Sequence, residues 1–170
     1  MNAVLRLLFS TGRHPSWLPL LLRIPVGATF IVHGYGKVFE RGILETASGF
    51  AQRGIPLGGV LGPIVPIAEF FGGILLIAGL GTRLWGLLDA GVMTFAILFV
   101  HWSQGFRMKA ELVTRGDQQV AASGGWEWQA LLLASCLVLA IGGGGKVSLD
   151  ALIVRRLAKA DARELEDAAA

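Results

Sequence analysis

The chain has 170 residues, of which 54% are hydrophobic and 16% charged, and a net charge of +3, a composition outside the range of soluble domains. Its positive excess sits in loops and tails, where membrane topology calls for it, so the charge implies no nucleic-acid partner. The one cysteine, Cys136, excludes a C-x-x-C redox pair, a Cys-ligated cluster and an intramolecular disulfide, and reads as a small packing residue.

In chain order, four apolar segments predict membrane-spanning helices at about 17–35, 59–80, 85–102 and 126–141. Each is close to the ~20 residues that cross hydrocarbon at 1.5 Å per residue, the last being the shortest. All five tryptophans fall at span ends: Trp17 opens the first, Trp85 and Trp102 bracket the third, and Trp126 with Trp128 opens the fourth. That is where an indole finds both an apolar body contact and a wet N–H. The first apolar run is too long for the core of a cleaved signal and has no A-x-A site after it, so it is expected to remain as a span.

The first span carries Arg23 and ends at His33, with Lys37 and Glu40 beyond it. The second lies in the run Gly54 to Thr82, whose one charged residue is Glu69. An acid near the middle of a span is costly unless it faces a bundle interior, is neutral, or meets a cation, which makes Glu69 a functional candidate. On a helix Glu69 shares a face with Gly62, Pro66, Gly73 and Leu76, and small residues of that kind allow close approach of another helix. The third span carries Asp89 and His101. The polar stretch Ser103 to Gly125 follows, as a docking loop or a solvated connector. Glu127 opens the fourth span. Gly142 to Gly145 reads as a helix stop rather than a phosphate loop, since Val147 stands where Ser or Thr is required. Residues 1–150 thus form one domain, and 151–170 form a polar tail, a short surface helix or a frayed end.

An even number of spans puts both termini on one side. That side carries Arg6, Arg13, Arg83, Lys146, Arg155, Arg156, Lys159 and Arg163, against Lys37, Arg41, Arg53, Arg107, Lys109 and Arg115 on the other. The excess places both termini in the cytoplasm.

Depth along the spans sorts the polar residues into two layers. Toward the cytoplasm, Arg23 and Asp89 lie at similar depth on different helices, which predicts an ion pair that locks helix register. Toward the outer face lie His33, Lys37, Glu69, His101 and Glu127. His33 and Lys37 are four apart and share a helix face. Histidine, lysine and carboxyl groups together suit hydrogen bonding and proton exchange with a quinone headgroup. They suit equally a structural hydrogen-bond network between helices. Haem b between His33 and His101 is a weaker reading, resting on two histidines alone.

Three blocks carry a family resemblance: Arg23-Ile-Pro-Val-Gly27 with His33-Gly34-Tyr35-Gly36-Lys37; Ala68-Glu69-Phe70-Phe71-Gly72-Gly73 running to Gly79-Leu80-Gly81-Thr82-Arg83; and Gly143-Gly144-Gly145-Lys146-Val147-Ser148-Leu149-Asp150. In order and spacing, from about Leu22 to Asp150, the chain resembles the DoxX family. The resemblance implies an all-α integral membrane four-helix bundle of the bacterial inner membrane, linked to membrane redox chemistry. The expected function is a small subunit of a quinone-linked complex, contacting lipid and other subunits and relying on a partner for electrons, since no flavin or iron–sulfur motif is present. The alternative is a non-catalytic subunit that stabilises a larger complex or binds lipid. A proton-coupled transporter is a third reading, disfavoured by four short helices without a visible inverted repeat.

Overall fold

The computed structural model describes residues 16–52, 54–115 and 118–169; Arg6, Arg13 and Arg53, counted above for orientation, lie outside the described residues. Helix α1 (Leu18–Tyr35) starts with proline in its first turn and contains Pro25, which has no N–H to give the preceding turn. Its helical course continues through a π turn at Gly36–Glu40, so the apolar unit runs over 23 residues from Leu18 to Glu40, about 34 Å long. A short helix α2 (Ile43–Gln52) follows, in a segment the sequence reading leaves as a connector.

Helix α3 (Gly58–Ala78) contains Pro63 and Pro66. It ends where Gly79, at φ 72°, turns its N–H back to the carbonyls of Leu75 and Leu76, a left-handed stop that glycine adopts without strain. Helix α4 (Thr82–Phe95) continues through a second π turn at Ala96–His101 and a 3₁₀ turn at Trp102–Gln104. These three units are long and apolar enough to cross a membrane. They cover the first three expected spans, and α1 and α4 extend beyond the predicted ends.

The polar stretch after α4 folds as an antiparallel hairpin of β1 (Lys109–Arg115) and β2 (Gln118–Gly124), with Lys109 opposite Gly124 and Arg115 opposite Gln118. The apolar part of the chain is helical throughout, and this small sheet is added outside it. Helix α5 (Glu127–Gly142) has 16 residues, about 24 Å, shorter than the hydrocarbon core. Helix α6 (Leu149–Ala169) makes the tail one continuous helix of 21 residues, capped by Ser148, whose hydroxyl accepts from the Ala151 N–H at 3.1 Å.

Helices α1, α3, α4 and α5 pack around one core of Val26, Phe30, Leu76, Ala90, Met93, Leu132, Cys136 and Leu139. Because lipid is as apolar as these side chains, close fit rather than water exclusion must hold the helices together. Glycine supplies the fit. A Cβ on Gly27 would lie 2.6 Å from the Gly73 carbonyl oxygen, and one on Gly86 would lie 2.9 Å from the Cys136 carbonyl oxygen. Large apolar side chains such as Leu21, Val32, Leu87, Leu98 and Val138 point outward and exposed, as expected where the surrounding solvent is hydrocarbon. Lys146 N–H donates to the Ser16 carbonyl at 2.8 Å, while Trp126 N–H donates to Gly105 and Phe106 at the other end. The chain therefore enters α1 and leaves α5 at the same end.

Candidate functional site

The two ends of the helical core hold different polar structures. At the end shared by Ser16 and Lys146, Arg23 is 1% exposed and donates to four main-chain carbonyls: Leu76 at 2.7 Å, Ile77 at 2.5 Å, and Gly144 and Val147 at 2.7 Å each. Its guanidinium adds a second donor to the Leu76 carbonyl, which already accepts from Gly79 N–H, supplies one to Ile77, and favours the negative end of the α3 helix dipole. Beside it, the Asp150 carboxylate accepts from the N–H groups of Gly81 at 2.7 Å and Thr82 at 3.0 Å, capping α4 from the start of α6.

The expected Arg23–Asp89 pair is not formed. A helical side chain leans toward its own N-terminus, which carries the Arg23 guanidinium to the end of the core. Asp89, seven residues into α4, stays about 10 Å deeper along the helix. It is fully buried, and among the described residues neither carboxylate oxygen has a hydrogen-bond partner.

At the opposite end a cavity of about 340 Å³ lies among α1, α2, α3, α4 and α5. Lys37, on the π turn that extends α1, reaches across to α3, where its ammonium contacts Glu69 Oε1 at 2.6 Å and Oε2 at 2.5 Å. Glu69 is 2% exposed, so this ion pair answers the cost of an acid within the apolar run. His33, His101, Arg41, Thr46 and Gln129 also line the space, with Phe30, Phe50, Met93, Phe95, Trp128 and other apolar side chains. Two cations and two histidines thus share the wall with one carboxylate, an arrangement suited to carbonyl, phenolate or other electron-rich oxygen. The His101 ring pairs with Gln104 at 2.9 Å, and that amide oxygen also accepts from Gly125 N–H at 3.1 Å, fixing the histidine against the foot of the hairpin.

Of the outer-layer residues, His33, Lys37, Glu69 and His101 share this one cavity. Glu127 does not line it: it opens α5 with its N–H on the Phe106 carbonyl at 2.9 Å, and the following Trp128 and Gln129 turn toward the space instead. Gln129, Arg41 and Thr46 were not singled out from sequence. Gln129 leaves its buried side-chain oxygen without a partner among the described residues. The Thr46 hydroxyl, on the unforeseen α2, bonds to the carbonyls of Lys37 and Gly42. A shallow depression between α1 and α5 shares Thr29, His33 and Trp128 with the cavity wall and is completed by Ala28 and Val32.

A DoxX profile matches residues 18–102, which include Lys37, Glu69 and both cavity histidines. The chain belongs to the DoxX family. It is also similar to "Putative oxidoreductase CatD" of Bacillus subtilis (strain 168), 30% identical over 136 residues that cover 80% of this chain and 87% of the relative. No solved structure matches the chain. The family match ends before the hairpin, so in this chain the matched residues span the first two long apolar helical units, α2 and nearly all of the third, whereas Trp128 and Gln129 lie beyond it.

Proposed function

We propose that this DoxX protein is the small subunit of a quinone-linked redox assembly in a bacterial inner membrane. It crosses the bilayer four times, with both termini cytoplasmic, and receives a quinone headgroup in the cavity at the outer ends of its helices. The observation that carries this reading is the Lys37–Glu69 pair in the wall of that cavity, which two histidines also line. Lys37, His33 and His101 offer donors to the carbonyl oxygens of such a headgroup, and Glu69 and the histidines are proton carriers. The apolar side chains around them exclude water and suit a ring. The depression between α1 and α5 offers a lateral approach from lipid, the phase in which a quinone tail dissolves. When bound, quinone would supply two-electron, two-proton redox chemistry; the electrons come from a partner subunit, since the chain carries no redox-centre motif of its own. The redox wording of the Bacillus relative's name supports the same reading.

The test is gentle purification in mild detergent, with quinone extraction and mass spectrometry of whatever accompanies the protein. Near-stoichiometric quinone is expected in the unmodified protein. Glu69→Gln and Lys37→Ala should lose quinone turnover while the complex still assembles. A quinone-free protein whose variants lose assembly but keep turnover in what remains would replace this reading with the structural or lipid-binding subunit.

A further inference from the structure

Asp89 has no role in the cavity wall, yet it is the most unusual polar group of the core. It is 0% exposed and both its oxygens lack a hydrogen-bond partner among the described residues. It sits against Gly72 of α3: a Cβ on that glycine would lie 3.3 and 3.4 Å from the two carboxylate oxygens and 2.9 Å from the Trp85 ring. Gly72 follows Glu69 by three residues, about one helical turn or 4.5 Å of rise. On its own helix, Val92 and Met93, one turn along from Asp89, already line the cavity. Asp89 thus lies about one turn beneath the cavity floor, on the side of α3 that carries Gly72.

The groups around it leave few ways to neutralise a charge there. It interacts electrostatically with Glu69 of α3 and Cys136 of α5, neither of which is a cation, and hydrogen-bonds to neither. The cations of α1 are both committed, Arg23 to four carbonyls and Lys37 to Glu69. A carboxyl with no donor and no cation beside it in an apolar interior is made tolerable by a proton. The next buried hydroxyl on its helix, Thr82, is seven residues back, about 10 Å away and beyond hydrogen-bond reach. Glu69 is the neighbouring carboxyl on the cavity side.

We propose that Asp89 is an internal proton-exchange site that holds a proton on its carboxyl and trades it with Glu69. The two carboxyls are not hydrogen-bonded to each other, so in the exchange an Asp89 oxygen gives its proton to a water drawn from the cavity, which passes one on to a carboxylate oxygen of Glu69. Asp89 becomes the carboxylate, Glu69 the neutral acid, and Lys37 remains the ammonium, so the charge of the set is conserved. Gly72 leaves room beside the Asp89 carboxyl, because a Cβ there would lie 3.3 and 3.4 Å from its two oxygens. The proposal stands whatever occupies the cavity; if quinone does, Asp89 is a proton reserve for it.

Infrared spectroscopy of the purified full chain in lipid, free of added quinone, tests this. A carboxylic-acid carbonyl band should be present at neutral pH, should shift on labelling of aspartate with heavy carbon, which assigns it to an aspartate, and should vanish in Asp89→Asn but not in Asp150→Asn, which assigns it to Asp89. In heavy water the band should move to the deuterated position, and Glu69→Gln should slow that movement by about tenfold or more, the scale of losing a positioned proton carrier. An aspartate that gives only carboxylate bands overturns the proposal and makes Asp89 a charged site for a cation. A band that deuterates equally fast in Glu69→Gln overturns the route.

Discussion

Removing the Arg23 guanidinium would take a donor from four carbonyls at once; Leu76 keeps the Gly79 N–H, while Ile77, Gly144 and Val147, buried or part-buried, lose theirs. Each buried acceptor left without a partner costs on the order of 1–3 kcal/mol, and shared relaxation keeps the total below the sum. Arg23→Ala should therefore destabilise the folded protein by roughly 3 kcal/mol or more, read as a lower thermal midpoint in detergent. Arg23→Lys should recover only part of it, because an ammonium presents its donors from one atom and cannot reach carbonyls on two sides as a planar fork does. The importance of Arg23 is legible in the sequence, since a cation within an apolar span needs an answer. Its partners are not, because main-chain carbonyls carry no residue identity, and matching side chains by depth led to Asp89 instead. Glu69 is the opposite case. Its partner was a side chain of complementary charge at a similar depth, so the same reasoning put it in one layer with Lys37, without pairing the two.

Between elements, the approach of α1 to α3 depends on Gly27 and Gly73. A methyl group on Gly27 would meet the Gly73 oxygen and Ile77 Cγ1, each at 2.6 Å; the oxygen is main chain and cannot turn aside. Gly27→Ala should destabilise by about 1–3 kcal/mol as α1 is pushed from α3. Gly91→Ala, with nothing within 4 Å of the new carbon, should be neutral or stabilising by up to about 1 kcal/mol through helix propensity. Thermal unfolding of both variants under one condition checks the pair. Periodicity and tryptophan placement make the helices themselves readable. Less readable are the two π turns, at Gly36–Glu40 and Ala96–His101, because an added residue in a turn leaves hydropathy unchanged. They nonetheless widen α1 and α4 at the same end of the core and present Lys37 and His101 to the cavity. Helix α2 and the hairpin were missed for a related reason: each is too short or too polar to register as a span, and α2 gains its place by the Thr46 hydroxyl bond to the Lys37 carbonyl and by packing on α3. There a Cβ on Gly58 would lie 2.9 Å from the main chain of Ala51.

At the scale of the whole molecule, the bond from Lys146 to Ser16 closes the chain on itself at one end, so α1 and α6 begin on the same side of the core. A reporter that is fluorescent only in the cytoplasm, fused after Ala170, should shine, and one placed between Arg115 and Gln118 should not. The reverse pattern would invert the orientation drawn from arginine and lysine counts, and signals from both positions would rule out a crossing by α5. The Arg23 knot also imposes an order on biogenesis. A ribosome delivers residue 23 long before residues 76 and 77, and those well before 144 and 147, so the guanidinium enters the bilayer with none of its acceptors made. It gains two when the second long helix is inserted and the rest only after the final apolar helix has crossed or docked. A chain cut short before Gly144 would retain half-satisfied arginine in lipid, a state that membrane quality control can recognise, so completion of synthesis is itself the event that locks the fold.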